Sequence, residues 1–384
     1  MKLIYTIGSL DRPGGTEKVL ANKANYFAEV LGYEVHIFIN DQANKDLAYH
    51  FSDRIIFHDM SINSYSKQPH IPLISGFFLK IKLLPIYQEK IDRIKPDVII
   101  VTQHGIDSYI VPKLKTSAPI VREFHSSLDV IHLRSNFINN FIKRKLFLYQ
   151  TLKRYNKFDK FDYVVFLTEN EKNKSNLKTN KIVISNMLEN AFAKKEYNTK
   201  KNIISVGSMR DMGKRFDVQI RMWKKIIKKF PDWKLNIYGD GKEREKLQSY
   251  INELGLNKSV LLHGNAKNIH EKYNNADFFL LTSMAEGFSM VVIESIAHGL
   301  PVVTFDCPEG PGEIVRNNID GFVVENNNEE ELLKKVIELI SDSLKREVMG
   351  NNAYIRSKDY LPENISKSWI DFFNQIINNE KINT

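Results

Sequence analysis

Thr282-Ser283-Met284-Ala285-Glu286-Gly287-Phe288-Ser289-Met290-Val291-Val292-Ile293-Glu294-Ser295-Ile296-Ala297-His298-Gly299-Leu300-Pro301 follows the apolar run Phe278–Leu281 and reads as strand end, glycine loop and short helix. Ser289 stands where an N-cap is expected, and Gly299 and Pro301 end the helix where glycine and proline do so through their backbone chemistry. Backbone N–H groups from Gly287 through Phe288, Ser289 and Met290 to Val291, aligned with the helix dipole, would form a diphosphate site at the carboxyl edge of a parallel sheet. Glu286 precedes that helix, and Glu294 lies about one turn into it. Carboxylates repel phosphate, so each acid is expected to accept hydrogen bonds from hydroxyls on either side of the diphosphate.

Outward from this stretch, strand-like apolar runs alternate with longer helix-like segments. In the first half they are Leu3–Ile7, Glu34–Ile39, Val98–Val101, Ile120–Glu123, Tyr163–Leu167 and Ile182–Ile184. The second half repeats the pattern with Ile203–Val206, Leu235–Tyr238, Val260–Leu262, Phe278–Leu281, Val302–Phe305 and Phe322–Val324. This is the signature of parallel sheets with crossover helices, and a chain of 384 residues accommodates two such domains and a cleft between them. The expected division is an N-terminal Rossmann-like domain at 1–192, a charged linker at 193–202, a second Rossmann-like domain at 203–361, and a terminal helix at 362–384 that crosses back to the first domain. Its apolar positions Ile365, Trp369, Phe372, Phe373, Ile376 and Ile377 recur at helical spacing after Pro362.

Composition narrows the function classes. A hydrophobic fraction of 42% with 26% charged residues fits a soluble globular chain. Cys307 is the only cysteine, which removes an intrachain disulfide and a cysteine metal site and suits a cytoplasmic location. The start Met1–Gly8 reads as a buried strand and not as a signal peptide, and the apolar stretch Ile71–Tyr87 is broken by Pro72, Gly76, Lys80, Lys82 and Pro85. A net charge of +9 draws the surface to phosphates or to an anionic membrane. Ser135–Lys157 carries six Lys/Arg and no acid, with Phe137, Ile138, Phe141, Ile142, Leu146, Phe147 and Leu152 at largely helical spacing. It reads either as a core-packing helix with a solvated basic face or as a contact with the inner face of the cytoplasmic membrane.

Further residues collect at strand ends. Asp11-Arg12-Pro13-Gly14-Gly15-Thr16-Glu17 follows the first strand and opens a helix, and His125 ends the strand Ile120–Glu123, with His104 a weaker candidate at another strand end. The loop Gly207-Ser208-Met209-Arg210-Asp211-Met212-Gly213-Lys214-Arg215 follows the strand Ile203–Val206 and carries the cations Arg210, Lys214 and Arg215. No Asp-x-Asp pair, an arrangement that can hold a divalent cation on a diphosphate, occurs, so no metal cofactor is expected.

Glu286 and Glu294, with seven residues between them, resemble the Glu-x7-Glu motif of the family 4 retaining glycosyltransferases, enzymes of the GT-B fold that include bacterial surface-polysaccharide transferases. The resemblance spans nearly the whole chain and implies an α/β architecture of two Rossmann-like domains facing a cleft, with acceptor binding in the first and nucleotide-sugar binding in the second. It implies that Glu294 holds the ribose hydroxyls, that Glu286 lies by the transferred sugar, and that Gly14 and Gly15 let their loop approach the donor. His125 matches the family's active-site histidine, which contacts the reacting sugar. Arg210 and Lys214 would neutralise the diphosphate, although the family has arginine directly after the glycine, where this chain has Ser208, and Arg215 is a substitute for Arg210. The implied reaction transfers a sugar from a nucleotide sugar, a UDP-sugar, to an acceptor hydroxyl on a lipid-linked saccharide. The rival readings are a nucleotide-sugar epimerase of similar fold and a non-catalytic basic protein bound to membrane or nucleic acid. Nucleic acid is not an expected partner, since the chain lacks the aromatic-and-basic and helix-turn-helix signatures.

Overall fold

The computed structural model of the chain describes residues 1–62, 72–102, 105–125, 127, 141–193, 196–308 and 310–383. His104 and positions 135–140 of the basic stretch lie outside them. By contacts the chain divides into two units: Met1–His125, Asn140–Glu189 and Pro362–Thr384 form the first, and Ser126–Asn139 with Asn190–Leu361 the second.

In the first unit, β1 (Lys2–Ile7), β2 (Glu34–Ile39), β3 (Ile56–Asp59), β4 (Val98–Val101), β5 (Ile120–Glu123), β6 (Tyr163–Phe166) and β7 (Asn180–Val183) form one sheet in the order β3-β2-β1-β4-β5-β6-β7. Every pairing is parallel. Burial explains why these runs are strands: β4 and β5 are buried at every residue, as parallel strands with both faces covered must be. β3 was not anticipated, because its four residues are mostly exposed and carry no apolar run. The chain winds from β1 outward to β3 and returns to β4 beside β1. That reversal puts a topological switch point at the carboxyl ends of β1 and β4, where open α/β sheets bind ligands.

The second unit repeats the plan with β8 (Asn202–Val206), β9 (Lys234–Tyr238), β10 (Val260–Leu262), β11 (Phe278–Leu281), β12 (Val302–Asp306) and β13 (Gly321–Glu325), ordered β10-β9-β8-β11-β12-β13. Its pairings are parallel too, and its switch point lies between β8 and β11. From Glu196 onward the expected linker is tied to this unit: the Tyr197 hydroxyl donates to the Gly299 carbonyl at 2.8 Å, and the Lys200 N–H donates to Asp277 at 3.0 Å.

The helix Pro362–Asn383 belongs to the first unit. Ile365, Trp369, Phe372, Phe373 and Ile376 are buried in one cluster with Leu3, Tyr5 and Phe27, each such side chain contributing roughly 1.5–3 kcal/mol by leaving water. The basic stretch forms the helix Phe141–Tyr155. Tyr155 is buried against Phe124 at 5.4 Å, whereas Leu146, Tyr149 and Leu152 stand exposed, so among the described side chains core packing is seen at the C-terminal end of the helix. No helix among the described residues is long and apolar enough to cross a membrane.

Candidate active site

The loops after β8 and β11 leave the second sheet on either side of its switch point and are fastened to each other. Thr282, at the end of β11, is fully buried, accepts from the Gln219 amide at 2.9 Å, and sits 2.9 and 3.0 Å from the Lys214 and Arg215 carbonyls, to one of which its hydroxyl donates. Gln219 also donates to Ser205 at 2.9 Å, and the Met284 N–H donates to the Gly213 carbonyl at 2.9 Å. Arg215 consequently takes a left-handed turn, φ 49°, before the helix Phe216–Ile226 begins. Backbone of this kind is rare outside glycine and persists where its surroundings fix it.

That turn aims Lys214 at Glu286. Lys214 Nζ is 2.6 Å from Glu286 Oε1, and the lysine stem lies against Gly207. The arginines part company: Arg215 binds Asn327 and Glu329 on the far side of the turn, and Arg210 is exposed beside Ser208 on the β8 loop. Gly239, φ 136°, packs so closely beneath Gly207 that a Cβ there would run into the Gly207 carbonyl. The Gly239-Asp240-Gly241 turn is thereby a floor for the cationic loop, a role that glycine alone permits.

Glu286 is held on its other side by its own N–H, which donates to the Pro308 carbonyl at 3.2 Å. Nearby Cys307 is buried, and burial, reinforced by the Glu286 charge, pushes its thiol far above the usual range, so it is no nucleophile. Gly287, Phe288 and Ser289 lead into the helix Met290–Ala297, with the Phe288 ring against Tyr360 at 5.9 Å. Ser289 occupies the N-cap position, yet its side chain caps nothing. Its buried hydroxyl and that of Ser283 find no hydrogen-bond partner among the described residues. The expected side-chain cap is therefore absent: the Ser289 carbonyl accepts from the Val292 N–H at 3.0 Å, while its buried hydroxyl stays unused beside the helix start.

Glu294 is 5% exposed and accepts from the Tyr273 hydroxyl at 3.2 Å. Burial first, and the Glu294 charge second, raise the Tyr273 phenol well above its usual range, so it stays protonated as a donor. His298 donates from Nδ1 to the Glu294 carbonyl at 2.8 Å, and Phe192 covers its ring at 4.3 Å. Tyr273, Thr282 and Gln219 carried no signal in the sequence, since each acts by a contact many residues away.

The first unit holds the other candidates. Neither Gly14 nor Gly15 has the left-handed backbone that demands glycine: Gly14 is extended, and a Cβ on it would meet the Glu17 carboxylate, while a Cβ on Gly15 would point into open space. His125 Nε2 lies 2.7 Å from Glu123 Oε2, and Glu123 Oε1 pairs with Lys23. Their side chains are 8%, 2% and 3% exposed, with Glu123 and Lys23 fully buried. Burial alone would raise the Glu123 carboxyl, but Lys23 and His125 outweigh it and hold it at about 2.

Residues 186–356 match the family model described as "Glycosyl transferases group 1". An uncharacterized glycosyltransferase of Haemophilus influenzae is 32% identical over 375 residues, covering 96% of this chain and 98% of that protein. The N-acetylgalactosamine-N,N'-diacetylbacillosaminyl-diphospho-undecaprenol 4-alpha-N-acetylgalactosaminyltransferase of Campylobacter jejuni is 26% identical over 367 residues, 93% of this chain and 94% of that one. Among solved structures, a mutant of S. aureus TarM in complex with fondaparinux, alpha-GlcNAc-glycerol and UDP superposes with a TM-score of 0.76 at 17% identity, over 97% of this chain and 99% of that one. Two units, each built on a parallel sheet with a switch point, are the GT-B architecture, and the end-to-end relative carries the assignment further: this chain belongs to the glycosyltransferases, with the group 1 domain in its C-terminal half.

Proposed function

We propose that the chain is a family 4 retaining glycosyltransferase that moves a sugar from a UDP-sugar to a hydroxyl of a lipid-linked saccharide in bacterial surface-polysaccharide synthesis. The observation that carries this reading is the Lys214–Glu286 pair, 2.6 Å apart at the switch point, at the mouth of the helix that bears Glu294. Lys214 has three ammonium hydrogens and gives one to Glu286, which leaves two for a diphosphate. Arg210 and the N-terminus of Met290–Ala297 would supply the rest of the positive charge, without a metal cofactor, as the bond from anomeric carbon to diphosphate breaks and charge grows on the leaving group. Glu286 would accept hydrogen bonds from the sugar and Glu294 from the ribose. The UDP in TarM and the undecaprenol-linked substrate in the Campylobacter enzyme's name support the donor and acceptor classes. The test is incubation with a panel of UDP-sugars: one should release UDP, faster when a polyprenyl-linked saccharide is added, and no release from any would sink the reading.

Ser289 offers a sharper check. Ser289→Ala removes a hydroxyl that caps nothing, so unfolding stability should move by less than about 0.5 kcal/mol. If the hydroxyl instead meets the nucleotide, UDP should stabilise the variant by about 1 kcal/mol less than the native protein in a thermal-shift titration.

A lipid-linked acceptor calls for membrane contact, which we place on the helix Phe141–Tyr155 at the cytoplasmic face. Leu146, Tyr149 and Leu152 are exposed at three-residue spacing, with Lys143 and Lys145 exposed on the same helix. Each basic residue near an anionic surface contributes about 1 kcal/mol, so replacing Lys143, Arg144 and Lys145 with Glu should weaken sedimentation with anionic vesicles by about 100-fold or more. Unchanged sedimentation would reject this placement.

A further inference from the structure

We propose that Glu123 and Lys23 are positioning residues for His125: a buried ion pair whose carboxylate holds the imidazole as its Nε2–H tautomer and fixes the ring at the end of β5. The inference rests on the reading of His125 as the histidine that meets the donor sugar, and it adds to that reading what aims the ring and in which protonation form.

The geometry is a relay of three groups. Lys23 comes from the helix Gly15–Glu29, which the Gly14–Gly15 loop opens; Glu123 is the last residue of β5; and His125 follows two residues on. The Lys23 ammonium sits over the Trp369 ring at 4.4 Å and the Tyr5 ring at 5.2 Å. The glycine-loop helix, the histidine strand and the C-terminal helix thus meet at one ion pair, and the terminal helix supplies its roof.

Burying such a pair is a poor way to gain stability, because both charges must give up water and apolar residues of similar volume do as well or better. A role in orientation accounts for it. One carboxylate oxygen of Glu123 takes Lys23 and the other takes His125. An ionised carboxylate only accepts hydrogen bonds, so Nε2 must carry the hydrogen, and Nδ1 is left as the atom that accepts from, or when protonated donates to, a sugar hydroxyl. Without the carboxylate the ring would turn and exchange tautomers, and small misplacements of a contacting group cost rate steeply.

The experiment reads the His125 ring nitrogens by long-range 1H–15N correlation, with the signal assigned by its loss in His125→Gln. The native protein above the ring's titration should show Nε2–H alone. In Glu123→Leu combined with Lys23→Met, which removes both charges together, the ring should sample both tautomers and UDP-sugar turnover should fall by about tenfold or more, while stabilisation by UDP stays native. Protonation at Nδ1 in the native protein overturns the proposal whether or not the double variant folds. So does a double variant that keeps the single tautomer, or one that loses it with turnover unchanged. If the native protein neither binds UDP nor consumes a UDP-sugar, the functional reading fails, and the native ring spectrum still decides between Glu123 as the anchor of His125 and no such anchor.

Discussion

Glu286→Gln is expected to lower sugar transfer by about 10²- to 10³-fold, roughly 3–4 kcal/mol of transition-state stabilisation, with little loss of fold. The carboxamide keeps the size of the side chain and can still accept from Lys214, but it no longer carries the negative charge that the proposed reaction places beside the sugar. Lys214 is 21% exposed, so an ammonium left without an opposite charge is also solvated by water, and the melting temperature should barely move. Lys214→Ala should cause a comparable loss. Because the two groups act as one unit, the double variant should be little worse than either single one. Additive losses in steady-state turnover would mean that the 2.6 Å contact is incidental to the reaction.

Glu123→Ala, by contrast, should unfold the first unit more easily by about 3–5 kcal/mol, the cost of leaving an unpaired charge buried. Lys23 is 3% exposed and enclosed by the Tyr5 and Trp369 rings, so it has no route to water. The acid limb of the stability curve carries a second signature. The Glu123 carboxyl is held below its unfolded value, at about 2, so its contribution is present above the unfolded pKa near 4.5 and is lost as pH falls through about 2. Urea titrations at pH 7 and at pH 3 should therefore show a larger gap between native and variant at pH 7. An equal gap at both would mean that the carboxyl binds its proton equally well folded and unfolded, and a smaller gap at pH 7 would mean that Glu123 is protonated in the folded protein.

Much of the fold was legible because parallel strands covered on both faces must be apolar at nearly every position, and runs such as Val98–Val101 and Phe278–Leu281 could be little else. The edge strand Ile56–Asp59 escaped because exposure removes that pressure. The acids around the glycine loop could be read locally, since strand, loop and helix start are contiguous. What could not be read is whatever two distant segments make together. The Thr282–Gln219 latch turns the backbone at Arg215, the Gly239 floor lies under Gly207, and Lys23 and Glu123 meet 100 positions apart. Ser289 shows the reverse limit: its position was legible, but whether its hydroxyl caps the helix or stays unused depends on packing.

The account stands or falls on a nucleotide site in the second unit built around Glu294. Thermal-shift titration with UDP, GDP, ADP and CMP on the native protein and on Glu294→Ala tests it directly. At ~100 times its dissociation constant UDP should stabilise the native protein by about 2.7 kcal/mol, and Glu294→Ala should lose that response while keeping its ligand-free melting temperature within a few degrees. A native protein that no nucleotide stabilises, or a Glu294→Ala variant that responds to UDP as the native protein does, would contradict it.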